Sequence, residues 1–335
     1  MAWNIHQANA LRWQKGPGPH SEVYYLKCCD PQGLWSFWFR YTLLIPENAK
    51  EEPTASLWGI FHHQKFGPLA IKKTYSLSET DVFHRDRFIQ VGPGSLGIEG
   101  CNGLLEENGH RIEWNLHFDD PSLLAALYPH NFLYRGPFPK TKYIAPLWST
   151  RFTGTLSIDD QVLRLDAIPG HQGHTWGTQY ASRWAWFHGN SFKEDSEFIL
   201  EGLIAQIPLG KKLSPPMKLL HFFYNGKRYA ANGLIQWFRN KANYTDHELQ
   251  FDVHADGKRF EGWVRRSPDL TVCVEYTGAW GEKRYCHNTN LADAEVRVYE
   301  KKGGQWSLEK TLTAHHAVSF ENAEQEPLPG IIRVL

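Results

Sequence analysis

Apolar and polar side chains alternate every second residue through nearly the whole chain, and this constrains the fold more than any other feature. A period of two puts successive side chains on opposite faces of a strand, so each such segment buries one face. Glu22 to Cys28, Trp35 to Ile45 and Leu57 to His63 read as strands. The Asp-Pro-Gln-Gly turn at 30 to 33 and a charged, proline-bearing loop at 46 to 53 separate them. The pattern recurs at Ile112 to Phe118, Thr155 to Ala167, Glu197 to Ile207, Leu219 to Tyr224, Glu248 to His254, Arg259 to Arg265, Thr271 to Tyr276 and Ala294 to Tyr299. Only Pro121 to Tyr128 reads as helix, with Asp120 to cap it and proline at its first position. The fold class expected is all-β. Aromatic content supports it, since 14 Trp against 2 Met suits flat rings packed on pleated sheets.

At 335 residues the chain exceeds one ordinary domain, and two are expected, residues 1–145 and 146–335, joined through the Pro-rich stretch 129–146. A weak internal echo agrees. Asn102-Gly103-Leu104-Leu105 followed by Leu116-His117-Phe118-Asp119 parallels Asn232-Gly233-Leu234-Ile235 followed by Leu249-Gln250-Phe251-Asp252. An aromatic strand lies upstream of each, Trp35 to Tyr41 and Trp184 to Phe192. Two antiparallel β units in tandem, each a barrel or a strongly bent sandwich, are the simplest account.

Lys+Arg and Asp+Glu each total 36, which lacks the basic footprint of a nucleic-acid binder, so no nucleic-acid partner is expected. The start MAWNIHQANALRWQKGPGPH does not read as a signal peptide, and no stretch is long enough to cross a bilayer. A soluble, cytoplasmic protein is expected. Five cysteines, with Cys28 and Cys29 adjacent and hence on opposite faces of a strand, imply no disulfide framework and a reducing compartment. Asn243-Tyr244-Thr245 reads as a chance match to the glycosylation triplet. The pairs His62–His63, His171–His174 and His315–His316 lack metal-ligand spacing, and Gly92 to Gly97 lacks the Lys-Ser/Thr ending of a phosphate loop. No metal and no other cofactor is expected.

The segment from Asp166 to Phe192 holds three Trp, three His and one Tyr. From Trp184 the alternate residues Trp184, Trp186, His188, Asn190 and Phe192 share one face of a strand, large, aromatic and partly polar. Such a face suits the wall of a pocket for an apolar ligand oriented by a few hydrogen-bonding groups. A buried sheet core with a satisfied His and Asn is the alternative.

Asp166-Ala167, Pro169, Trp176-Gly177, then six residues, Trp184, one residue, Trp186, three residues, Asn190, one residue and Phe192 resemble a motif of tocopherol cyclase and its wider group. That group of double-lipocalin-like proteins includes carotenoid 1,2-hydratases, AttH-type proteins and some Diels-Alder cyclases. Tyr24-Tyr25 with Phe37, Phe39 and Tyr41 resembles the group's aromatic opening strands, and Ala294 to Glu300 its late strand. The resemblance implies two lipocalin-like β-barrel halves with a lipophilic pocket and, in the cyclase branch, acid-promoted ring closure of a prenylated phenol or quinol. Relatives carry an acid three positions before the Trp-Gly pair; this chain has Gly173 there.

Cyclising or hydrating a prenyl chain begins with protonation of an alkene, which calls for a neutral carboxylic acid in a dry pocket, and burial keeps a carboxyl protonated. Asp166 is the first candidate within the motif and Glu201 on the following strand the second; a surface turn before Pro169 is the plain alternative for Asp166. Trp176, Trp184 and Trp186 suit cation stabilisation, worth roughly 1 to 2 kcal/mol each when desolvated, and suit core packing equally well. His188 or Tyr180 fits the general base that takes a phenolic proton. His174, Asn190, Phe192 and Glu201 complete the expected binding set. The partner expected is a lipophilic small molecule such as a prenyl-quinol, carotenoid or polyketide, and uptake by peripheral membrane contact is compatible with it. A non-catalytic lipid or isoprenoid carrier and a pericyclic cyclase, which needs only a shaped pocket, remain the alternatives.

Overall fold

The computed structural model describes residues 3–78, 80, 82, 83, 86–118, 123–210 and 212–334. Two large, mainly antiparallel sheets account for most of them, in the tandem lipocalin-like arrangement expected. In the first, strand His20–Cys29 pairs on one side with Trp35–Ile45 and on the other with Gln161–Gly177. In the second, Arg183–Gly189 pairs with Ile199–Gln206 and with Gln305–Glu324. Each sheet thus has its opening strand beside its closing one, and each closes with a long bulged hairpin, Thr141–Ile158 with Gln161–Gly177 and Lys283–Lys302 with Gln305–Glu324. The bulges let such long strands bend around a barrel.

Strand order therefore carries the internal duplication, whereas the short sequence echoes do not align. Asn102 to Leu105 lies in strand Gly100–Glu107, but Asn232 to Ile235 leads into the helix Leu234–Arg239. The sheets change over between Gly177 and Arg183, not at residue 145. Pro146 sits inside strand Thr141–Ile158, in the register shift between Ile144 and Leu147, where its missing N–H removes no ladder bond. The expected helix 121–128 is not found: Leu123–Ala126 is a strand against Thr141–Ile158, and Asp120 and Pro121 lie outside the described residues.

Alternation decides what fills each barrel. Tyr24, Leu26 and Cys28 join Phe37, Phe39, Tyr41, Leu57, Trp114 and Phe152 inside the first. Ala185, Phe187, Leu200, Phe222, Phe251, Phe260 and Phe320 fill the second. Phe222 and Phe260 stack at 4.0 Å and 5°, an aromatic pair worth about 0.5 to 1.5 kcal/mol beyond its buried area. Both interiors are packed with side chains.

The helix Ile5–Asn9, capped by Asn4, whose side chain accepts from the Gln7 amide at 2.8 Å, sits against the first barrel. His174 Nδ1 meets the Ala8 carbonyl at 2.6 Å, and the Tyr24 hydroxyl donates to the Asn9 carbonyl at 2.9 Å. Buried Glu22 accepts from the amides of Arg12 (2.8 Å) and Trp13 (3.1 Å). Burial pushes its carboxyl up, but hydrogen bonds from His174 and His20 outweigh this and hold it at about 2. Among the described residues no helix is long and apolar enough to cross a membrane, and all five cysteines are buried free thiols.

Candidate functional site between the barrels

The strand faces that do not fill the barrels turn toward each other. On His20–Cys29 these are Val23, Tyr25, Lys27 and Cys29; on Arg183–Gly189, Trp184, Trp186 and His188; on Ile199–Gln206, Glu201, Leu203 and Ala205. A cavity of about 540 Å3 lies between them. Val23, Tyr25, Trp38, Arg40, Tyr143 and Thr175 line it from the first barrel, and Trp184, Trp186, Leu203, Met217, Tyr276 and Glu321 from the second. Its size and its largely aromatic wall match those of small-molecule sites.

Behind one wall lies a buried polar cluster. Glu201 Oε1 accepts hydrogen bonds from the Tyr143 hydroxyl and from Trp186 Nε1 (3.0 Å), and the Tyr25 hydroxyl donates to that of Tyr143 at 3.0 Å. Burial pushes the Glu201 carboxyl up to about 7, against the pull of those hydrogen bonds and of the Lys27 charge. The same burial raises the phenols of Tyr25 and Tyr143, so both remain proton donors. His171, 3.3 Å from the Tyr143 hydroxyl through Nε2, is pushed down to about 3 by burial and by nearby Lys27. The chain of side chains from cavity to interior is therefore Tyr25, Tyr143, Glu201, with a carboxyl that stays protonated up to near neutral pH.

A second wall is cationic. Arg40, the cross-strand neighbour of Tyr25, donates to Thr42 Oγ1 (2.8 Å) and to the Tyr180 hydroxyl (3.3 Å), and its guanidinium lies 4.2 Å from the Tyr276 ring centroid. Across the cavity, Glu321 accepts from Trp184 Nε1 at 3.0 Å. The site thus has an aromatic wall backed by an acid and a polar wall that holds a fixed positive charge.

Gly173 explains how Tyr25 reaches this position. It pairs with Tyr25 across the strands, and a Cβ there would lie 2.3 Å from Tyr25 Cζ and 2.5 Å from its hydroxyl oxygen. The tyrosine ring occupies the space that a side chain at 173 would need. A side chain at 173 would thus meet the Tyr25 ring, and a buried carboxyl, Glu201, lies behind Tyr143 from the neighbouring barrel.

Of the residues expected from sequence, Trp184, Trp186 and Tyr180 line the cavity and Glu201 stands behind Tyr143. Asp166 does not belong to the site. It is exposed at the bulge of the closing hairpin, where Ala167 adopts φ 50°, so it is not the buried acid expected. Asp166→Asn is expected to leave ligand binding and any turnover unchanged and to shift stability by no more than about 0.5 kcal/mol, measurable by denaturant unfolding. His174 and Trp176 point away from the cavity toward the helix Ile5–Asn9, with Trp176 packed on Tyr134 and Ile144. Fully buried His188 is not among the cavity-lining side chains. It bonds the Trp148 carbonyl through Nε2 (2.9 Å) and lies 4.1 Å from the His171 ring, and burial lowers its pKa. Asn190 ties the barrels together by donating to the Gly170 carbonyl at 2.8 Å. Phe192 packs inside the second barrel with Phe198, because the strand ends at Gly189 and alternation stops with it.

Tyr25, Tyr143, Arg40 and Glu321 also line the cavity, and the sequence motif does not include them. One signal for the first was available: a tyrosine next to a lysine on the face opposite Tyr24, Leu26 and Cys28. Among the described residues no group of three or more His, Cys, Asp or Glu is placed to hold a metal ion.

No protein-family model matches the chain. Two uncharacterized proteins from two strains of Mycobacterium tuberculosis are each 23% identical to it over 306 residues, 89% of this chain and 85% of theirs. A solved structure provisionally assigned as AttH, from Nitrosomonas europaea, superposes with a TM-score of 0.56 at 10% identity, covering 91% of this chain and 92% of that one. Kievitone hydratase from Nectria haematococca superposes with a TM-score of 0.52 at 8% identity, covering 90% and 88%. At these identities the likeness is one of fold. It spans both barrels.

Proposed function

We propose that the chain takes a lipophilic, alkene-bearing small molecule into the cavity between its barrels and promotes acid-catalysed addition to it, as hydration or ring closure, with no cofactor. Glu201 carries this reading: a fully buried carboxyl held near 7 and joined by tyrosines to an aromatic cavity is what protonation of an alkene requires. In the proposed sequence the Tyr143 hydroxyl turns from Glu201 toward the cavity while the protonated Glu201 donates to the phenol oxygen in its place. Tyr143 then passes its proton to the alkene carbon as Glu201 reprotonates the phenol oxygen. The tertiary cation then faces the rings of Trp184 and Trp186. Water, or the ligand's own hydroxyl, adds to the cation and releases a proton, which returns through Tyr25 and Tyr143 to Glu201. The Arg40 charge disfavours a cation beside it, so the ligand's oxygen-bearing end belongs near Arg40 and Tyr180. The fold shared with a hydratase and the motif resemblance to tocopherol cyclase support the reading.

A carrier is the second reading. Its support is that Glu201 lies behind Tyr143 and does not itself line the cavity. Incubation of the purified protein with a prenylated hydroquinone in heavy water separates the two. Catalysis is expected to add one deuterium to carbon, with an added water on hydration and none on ring closure. Recovery of the probe bound but unchanged in mass favours carriage.

A further inference from the structure

The cavity opens between segments whose charge differs from that of the whole chain. Residues 128–143, 207–218 and 232–243 contain eight Lys and Arg and no Asp or Glu, although the two totals are equal over the whole sequence. Phe138, Pro139 and Lys140 from the first segment and Pro208, Leu209 and Gly210 from the second form parts of the cavity wall. The third carries the helix Leu234–Arg239. That helix is fastened beside the same wall: Lys218, next to cavity-lining Met217, donates to the carbonyls of Trp237 (3.1 Å) and Asn240 (2.9 Å), and Trp237 packs in one cluster with cavity-lining Tyr128.

No residue of the helix is buried. Leu234, Ile235 and Phe238 share one side of it and are 65%, 70% and 79% exposed. Phe138, Leu209 and Leu213 are exposed as well, and Arg135, Lys140, Lys212, Arg239 and Lys241 stand exposed in the same segments. Exposed apolar groups gathered at one place mark an interaction surface. A second copy of this chain is a poor occupant, since a two-fold contact would set one basic rim against another.

We infer that this rim docks on an anionic lipid bilayer, with the apolar side chains seated among the headgroups and the Lys and Arg side chains on the lipid charge. Apolar insertion and basic attraction are each weak alone and effective together. Docking places the cavity mouth against the lipid phase, and this part of the inference rests on the reading that the cavity takes a lipophile. The ligand then passes from membrane to cavity without crossing water.

Sedimentation of the full chain with vesicles tests the inference. Binding to phosphatidylglycerol vesicles is expected to exceed binding to phosphatidylcholine vesicles by more than about tenfold and to weaken as salt rises. The triple variant Phe138→Ser, Ile235→Ser, Phe238→Ser and the double variant Lys212→Glu, Arg239→Glu are each expected to lose that binding while keeping the parent's circular dichroism and melting temperature. Glu201→Gln is expected to bind vesicles as the parent does, so failure of the acid chemistry and failure of docking are read separately. The inference is overturned if the parent stays in the supernatant with phosphatidylglycerol vesicles or if the triple variant sediments like the parent. It is also overturned if light scattering shows a vesicle-free dimer that the triple variant cannot form.

Discussion

Glu201→Gln is expected to lower turnover by between about a hundredfold and ten-thousandfold, the range a positioned general acid contributes. Glutamine keeps the oxygen that accepts from Tyr143 and Trp186, so the cluster should hold its geometry while losing the proton it delivers. In the parent, kcat/KM should be flat below neutral pH and fall about tenfold per pH unit above the Glu201 value of about 7. Stability should follow the same group. Its folded value lies above the ordinary 4.5, so the folded chain holds a proton that the unfolded chain has released. That contribution is complete below pH 4.5, declines as pH rises through 7, and amounts to roughly 3 kcal/mol. Glu201→Gln should remove this slope between pH 5 and pH 8 in denaturant titrations. The amide NH2 takes the place of Oε2, which has no hydrogen-bond partner, so the variant is expected to be about 1 to 3 kcal/mol less stable than the parent below pH 4.5, a deficit that shrinks or reverses above pH 7 as the parent loses its own contribution. Turnover equal to the parent's would place the acid elsewhere.

Gly173→Ala is expected to cost about 1 to 3 kcal/mol of stability and to disable the site together, because the added methyl can be accommodated only by displacing the Tyr25 ring. Displacement breaks the 3.0 Å bond from Tyr25 to Tyr143 and leaves the cavity end of the relay open. A double-mutant cycle with Tyr25→Ala isolates the cause: with the ring removed, Gly173→Ala should cost almost nothing. The coupling should then account for most of the single-variant loss. Additive effects of the two changes, or a Gly173→Ala protein with the parent's stability and activity, would separate Gly173 from the placement of Tyr25.

These two residues also show what could be read from the sequence. Period-two alternation revealed the β class and the strands because each strand buries one face against its own barrel, a local condition repeated along the chain. The same alternation cannot tell which barrel a strand serves. The segment Asp166 to Phe192 looked like one surface but crosses from the first sheet to the second after Gly177, so Trp176 and Trp186 end on unrelated faces. Asp166 looked like the motif's acid because exposure at a bulge depends on hairpin geometry, not on neighbouring residue types. Glu201 was legible as a lone carboxylate in the apolar run Ile-Leu-Glu-Gly-Leu-Ile, where a charge needs a purpose. Tyr143 was not, since only docking of the two barrels brings it against Glu201. The Pro-rich stretch reads as a linker from sequence because proline usually interrupts strands, whereas here a bulge admits Pro146.

Each barrel is filled by its own side chains, and the cavity is made from the strand faces that point away from both interiors. A half expressed alone would therefore retain a core and lack the cavity. Substitutions that reshape the cavity can accumulate on the facing strands without a void opening inside either half, and a small change in the docking angle between barrels would reshape it with no substitution in it at all. The shape of the cavity in this architecture is a property of assembly, inherited by neither half.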